Sequence, residues 1–267
     1  MLKQVEKGRC QMEAYSEFAN VYDIFMEDTP YEEWYKFIET CIKEQGLTAQ
    51  SVCELGCGTG QMTMLFAKAG YEVIGIDYSP EMLMVAQDRA FEEEVSILYL
   101  MQDMSEFDIH KEVDLICSCC DSINYLLEEE AVKSTFERVA EYLTPNGLFI
   151  FDMNTHYKYK EVLGNQVFAD QTDEAAYIWE NFYDEEEAIN EYEVSFFIKD
   201  ETGKYERTVE NHYQRAYTKE QIGLFLEEAG LELVQMYDNY TPEGVSDKTQ
   251  RITYVARKIT ERKENHE

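Results

Sequence analysis

Three glycines at alternate positions, Gly56, Gly58 and Gly60, follow a short apolar run of Val52, Cys53 and Leu55 that carries one acid, Glu54. Glycine lets the backbone take positive φ and lets a ligand approach the main chain where no Cβ intervenes. An ordinary strand-to-helix connection needs one such residue, so three within five positions point to a ligand cradle. Single acids then recur at or just past the ends of later apolar runs: Asp77, Asp103, Asp121 and Asp152. With Glu54 they place a carboxylate at each of five strand ends, a regularity that predicts one site. A carboxylate there can accept two hydrogen bonds from a diol or pair with a cation.

Two kinds of ligand use a glycine turn followed by an acid at the end of the next strand. In the dinucleotide pattern G-x-G-x-x-G the third glycine allows close helix packing while the helix start holds a pyrophosphate. Here that third position is Gln61, and the last glycine comes one residue early, at Gly60. Glu54, two residues before the first glycine, would repel a diphosphate and favour a cationic ligand instead.

The surrounding pattern supplies the elements that must hold these residues. Segments 12–26 and 31–46 each place apolar residues at spacings of three and four, which predicts two helices, the first carrying Tyr15 and Tyr22 and the second Trp34. From Ser51 onward strand and helix alternate. YEVIGID, VSILYLMQD, VDLICSCCD and LFIFDMN follow the first strand, with Ser79 and Pro80 opening the second helix of the series. A helix over 129–143 is expected to stop at Pro145-Asn146-Gly147. Five such units predict an α/β, Rossmann-like doubly wound sheet whose ligands lie beyond the carboxyl ends of the strands. The alternation fails between 155 and 215, where aromatic and β-branched residues recur with a period near two around a turn at 201–204, an antiparallel hairpin insertion. A capped helix and two closing strands, LELVQMYDNYT and RITYVARK, complete a seven-stranded sheet. The expected division is an N-terminal helical lid at 1–50, a core at 51–154 and 216–259, and an antiparallel β insertion at 155–215 that covers the acceptor.

The bulk composition narrows the class. The chain has 267 residues, 45% of them hydrophobic and 29% charged, enough for one large globular domain. Neither a membrane-length apolar run nor a signal-peptide core is present, so a cytoplasmic location is expected. Seven cysteines, mostly inside apolar runs, suit reduced buried thiols. Cys117 and Cys120 form a C-x-x-C, yet no second pair or nearby histidine completes a metal site, and no metal is expected. Fifty-five acids against 23 bases leave a net charge of −32, which disfavours nucleic acid as a partner.

ELGCGTG, followed in order by GIDYSPEML and MQDM, resembles the first motifs of the class I S-adenosylmethionine-dependent methyltransferases, in a layout similar to that of glycine N-methyltransferases. The resemblance implies S-adenosylmethionine as the cofactor and assigns roles. Glu54 and the backbone of Gly56, Cys57 and Gly58 would surround its methionine part. Asp77, beside Tyr78, would accept both ribose hydroxyls. Gln102, Asp103 and Met104 would meet the adenine, against which Met82 would pack. Cys119 to Ser122 would border the sulfonium, and Tyr15, Tyr22 and Trp34 would form the lid.

Methyl transfer from a sulfonium is an in-line displacement for which alignment and desolvation can supply much of the rate, so a general base is optional. If one is used, Asp121 and His212 lead by layout, with Asp152 and Tyr213 behind them. The expected acceptor is a small molecule methylated at oxygen or nitrogen, and the expected assembly a monomer or homodimer. A protein or structured-RNA acceptor is the second reading, and a non-catalytic cofactor-binding module the third.

Overall fold

The computed structural model describes Asp23, Met26 and residues 28–259 apart from Glu174 and Glu201. Apart from Asp23 and Met26, the first expected helix, with Tyr15 and Tyr22, lies outside these residues. The second is present as α1 (Tyr31–Glu44), and its apolar residues at helical spacing, Trp34, Ile38, Cys41 and Ile42, are all buried.

The core then runs β1 (Ser51–Leu55), α2 (Gln61–Lys68), β2 (Glu72–Asp77), α3 (Pro80–Glu92), β3 (Ile97–Met101), β4 (Val113–Ser118), α4 (Glu129–Tyr142) and β5 (Leu143–Asn154). Ser79 caps α3 by accepting the Met82 amide at 3.2 Å, with Pro80 in the first turn where its missing N–H costs nothing. The C-terminal α5 (Lys219–Glu228) starts with a reciprocal capping box between Thr218 and Gln221. Two strands, β10 (Leu231–Asp238) and β11 (Arg251–Lys258), follow it.

The seven strands pair in the order β10-β11-β5-β4-β1-β2-β3, all running in one direction except β11, which is antiparallel to both β10 and β5. β1 leads to β2 on one side, and the chain then crosses to β4 on the other. The carboxyl ends of β1 and β4 therefore frame the point where strand order reverses, the place open sheets keep for ligands. Both faces are covered, so β5 is apolar through its centre, from Leu148 to Phe151. Phe149 and Phe151 pack with Phe136 and Tyr254 on one face, and Leu148 and Ile150 with Val52 and Phe66 on the other.

The insertion is larger than the expected hairpin. Four strands, β6 (Val167–Gln171), β7 (Ala175–Asp184), β8 (Ile189–Lys199) and β9 (Tyr205–Arg215), form a separate antiparallel sheet in sequential order. Two boundaries in the core also differ from the expectation. α4 ends at Tyr142 and β5 begins at once, through Pro145 to Gly147. β4 stops at Ser118, and Cys120 and Asp121 then take left-handed φ of 59° and 51°, which places Cys120 past the strand that holds Cys117.

Candidate functional site

Gly56 and Gly58 turn the chain out of β1 with φ of 69° and 52°. A Cβ on Gly56 would lie 2.6 Å from the Ser122 side chain, so the glycine turn and the loop after β4 close against each other only because that Cβ is missing. A Cβ on Gly58 would meet nothing within 4 Å. The turn is tied to β2, since the Gly56 and Cys57 amides donate to the Ile76 carbonyl at 2.8 and 3.0 Å. Asp77 is held by the Gly58 amide on one oxygen at 2.7 Å and the Ser79 amide on the other at 2.9 Å. Burial pushes its carboxyl up, while those amides and that of Tyr78 pull it back.

A cavity of about 460 Å³ opens beside this turn. Its floor is the core: Gly56, Gly58, Asp77 and Tyr78 at the ends of β1 and β2, with Ser79, Glu81 and Met82 of α3, and Gln102, Asp103 and Met104 past β3. Ser122, Tyr125 and Leu126 form one side, and Glu210 and His212 of β9 close it from the insertion. A second cavity of about 50 Å³ shares Gly56, Gly58 and Ser122 with the first and is lined also by Glu54, Cys57, Cys119 and Tyr31. Glu54 is 3% exposed, and its Oε2 has no hydrogen-bond partner among the described residues. Burial, then the nearby Asp77, pushes its carboxyl well above the usual range. A buried carboxylate oxygen without a donor is costly, and a cationic donor entering the small cavity would satisfy it.

Most of the predicted site residues are thus brought together. Asp77, Tyr78, Met82, Gln102, Asp103, Met104 and His212 border the large cavity, Glu54, Cys57 and Cys119 the small one, and Gly56 and Gly58 both. Trp34 is not among them. It is buried against Tyr240, stacked at 4.6 Å, with the Arg251 guanidinium over its ring at 5.4 Å. The neighbouring Tyr31 reaches the small cavity instead.

The five strand-end acids do not converge on one site. Asp121 and Asp152 clamp Arg251 of β11, Asp121 at 2.6 Å, and Asp152 also accepts the Tyr240 hydroxyl. Asp121 accepts Gln214 Nε2 at 2.6 Å as well. Its carboxylate is therefore engaged by two donors, and the structure does not bring it to the cavity as a base. Sequence spacing missed this because Arg251 comes 130 residues later and reaches Asp121 only through the pairing of β11 with β5.

His212 stands in the cavity wall. Its ring stacks on Tyr192 at 4.8 Å, and its Nδ1 lies 3.1 Å from the Tyr125 hydroxyl, which is 2.7 Å from that of Tyr192. Burial lowers its pKa to about 4, so the imidazole is neutral at physiological pH. Tyr213 points the other way, 43% exposed, and donates to Glu191 at 3.2 Å. Glu81, Tyr125 and Glu210 were not anticipated as lining residues. Period-two alternation in β9 could have flagged Glu210, since it shares a strand face with His212.

No helix among the described residues is long and apolar enough to cross a membrane. Residues 52–147 match the family model described as a methyltransferase domain. A putative methyltransferase of Geobacillus sp. (strain WCH70) is 36% identical over 245 residues, which are 91% of this chain and 99% of that protein. A crystal structure of an S-adenosylmethionine-dependent methyltransferase from Clostridium acetobutylicum is 33% identical with a TM-score of 0.85, covering 92% of this chain and 99% of that one. The fold is shared at 18% identity by CalS10, an amino pentose methyltransferase from Micromonospora echinaspora with S-adenosylmethionine bound, with a TM-score of 0.72 over 90% of this chain and 97% of that one. The glycine turn, the strand order and these relatives agree, and the chain belongs to the class I S-adenosylmethionine-dependent methyltransferases.

Proposed function

We propose that this methyltransferase acts on a small molecule, at oxygen or nitrogen, held between the glycine turn and β9. The observation that carries the reading is the pair of joined cavities: a small one containing the unpartnered Glu54 oxygen, and a larger, bounded one of about 460 Å³ roofed by β9. A bounded pocket suits a small acceptor better than an open groove would. CalS10, which shares the fold, is itself named for a small amino sugar acceptor.

S-adenosylmethionine, when bound, supplies an electrophilic methyl group on a sulfonium. Glu54 would pair with the methionine ammonium and the turn from Gly56 through Cys57 to Gly58 would seat its backbone. Asp77 retains lone pairs beyond those used by Gly58 and Ser79, and they would accept the ribose hydroxyls. Met82, Gln102, Asp103 and Met104 would surround the adenine, and Cys119 would border the sulfur. On the insertion side, His212, positioned by Tyr125 and Tyr192, is neutral and so able to accept a proton from the acceptor. The net charge of −32 argues against a nucleic-acid acceptor, and six described cysteines free of disulfides suit the cytoplasm.

The test is ligand-induced stabilisation. S-adenosylhomocysteine should raise the melting temperature of the wild-type protein, and Asp77→Ala should remove the shift. A wild-type protein indifferent to the ligand at saturating concentration would refute these residue roles.

A further inference from the structure

The charged lining of the large cavity is one-sided: Asp77, Glu81, Asp103 and Glu210 border it, and among the described residues neither lysine nor arginine does. Three of these carboxylates already have local work. Asp77 accepts two amides, Asp103 the Ser105 amide and hydroxyl, and Glu81 the Ser79 hydroxyl at 3.0 Å. Glu210 differs. It is partly buried at the centre of β9, and its carboxylate makes no hydrogen bond or ion pair among the described residues. Burial, then the like charge of Glu81, pushes its carboxyl up to about 7. One carboxylate from α3 and one from the insertion thus repel each other across the cavity, with no cation among the described residues of its lining to separate them.

The remaining groups near Glu210 do not change that balance. His212, on the same face of β9, is neutral because burial holds its pKa down to about 4. Tyr125 is a phenol, neutral at its ordinary pKa and pushed further up in this setting. These rings add an aromatic wall beside the carboxylate. A carboxylate against aromatic faces attracts an ammonium group through both charge and ring quadrupole, while a phosphate or carboxylate ligand would meet repulsion from Glu81 and Glu210. The net charge of the whole chain, −32, draws cations toward such a cleft.

We propose that the methyl acceptor is a cationic amine, and that Glu210, opposed to Glu81 across the cavity, is the specificity-determining residue that pairs with its ammonium group. This rests on the small-molecule methyltransferase reading and narrows it from oxygen or nitrogen to nitrogen. The amine fills the gap between the two carboxylates and relieves their repulsion. Its ammonium would pass one proton to Glu210, and the freed nitrogen lone pair would then bond the methyl carbon of S-adenosylmethionine as the carbon–sulfur bond breaks, leaving S-adenosylhomocysteine and a methylated ammonium.

The test uses the full chain saturated with S-adenosylhomocysteine and a fragment set of amines, matching alcohols and matching carboxylates, each of at most about ten non-hydrogen atoms. Amines should bind by calorimetry and raise the melting temperature, whereas carboxylates should not. Glu210→Gln should weaken the binding of those amines at least about tenfold and leave S-adenosylhomocysteine binding unchanged, which also certifies that the variant folds. In the wild type, amine binding should weaken as pH falls from about 8 to about 6, because protonation removes the negative partner, and in Glu210→Gln that dependence should vanish. The proposal is overturned if no amine binds at about 10 mM, if carboxylates bind as well as amines, or if Glu210→Gln keeps wild-type affinity. If wild-type protein fails to bind S-adenosylhomocysteine at all, the parent reading falls first and takes this one with it.

Discussion

On the core side of the cavity the polar groups hang from the ends of parallel strands, whereas on the insertion side Glu210 and His212 stand within the body of an antiparallel strand, β9, of eleven residues. The core groups are fixed by backbone: Asp77 is gripped by two amides, and the turn before it is pinned to the Ile76 carbonyl. The insertion groups are fixed by other side chains, His212 by the rings of Tyr125 and Tyr192. On the proposed assignment of cofactor to the core wall and acceptor to the insertion wall, the difference follows the ligand each wall would face. A cofactor of constant shape can be met by main-chain turns at invariant strand ends, while an acceptor is recognised by side chains that alternate on a sheet and can be exchanged without disturbing the hydrogen-bond ladder. Arg251 joins the two walls, since it clamps Asp152 of the core and Asp121, which in turn binds Gln214 of β9.

Four substitutions test whether the walls are as separate as this comparison holds. Asp77→Ala should have the largest effect, about 4 kcal/mol of S-adenosylhomocysteine affinity for two lost charge-assisted hydrogen bonds, read by calorimetry. A loss under tenfold would mean that the core wall is not set by this carboxylate. Arg251→Met leaves Asp121 and Asp152 without their shared cation and should destabilise the fold by about 3 kcal/mol, read as a lower urea midpoint. An unchanged midpoint would show that the walls stand without that tie.

Glu54→Gln should weaken S-adenosylhomocysteine binding by about 1.5 kcal/mol while stabilising the ligand-free protein. The sign follows from the direction of its shift. A carboxyl whose folded pKa is raised binds more protons folded than unfolded, so the stability it allows is greatest below the unfolded value and falls as pH rises through the folded value. The melting-temperature advantage of Glu54→Gln over wild type should therefore widen from pH 5 to pH 8. His212→Ala should have the smallest effect on the cofactor, changing S-adenosylhomocysteine affinity by less than about twofold. A larger change would show that the insertion shapes both halves of the site.

Much of the core wall was legible in the sequence, for local reasons. Three glycines in five residues can serve little but a turn, Ser79-Pro80 can only open a helix, and an acid that ends an apolar run must lie at a sheet edge. The insertion was legible only as alternation. Its turn at Gly203 was visible, but the extra pairs β6 with β7 and β7 with β8 follow from contacts between segments whose local pattern is the same in a hairpin and in a four-stranded sheet.

The sequence by itself therefore determined the strand-end wall of this methyltransferase's cavity: the turn at Gly56 to Gly60, the acid at Asp77 and the order of strands that carries them. Tertiary structure decided which carboxylates remain at the site. Asp121 and Asp152 carry the same strand-end signature as Asp77 and Asp103, yet Arg251, distant in sequence, takes both out of the cavity. Glu210 carries no strand-end signature, only the alternation it shares with His212, and is brought to the cavity by the placement of β9. The physical reason is that backbone geometry is written in neighbours along the chain, whereas the partner of a charge is chosen by whichever group the fold places a few ångströms away.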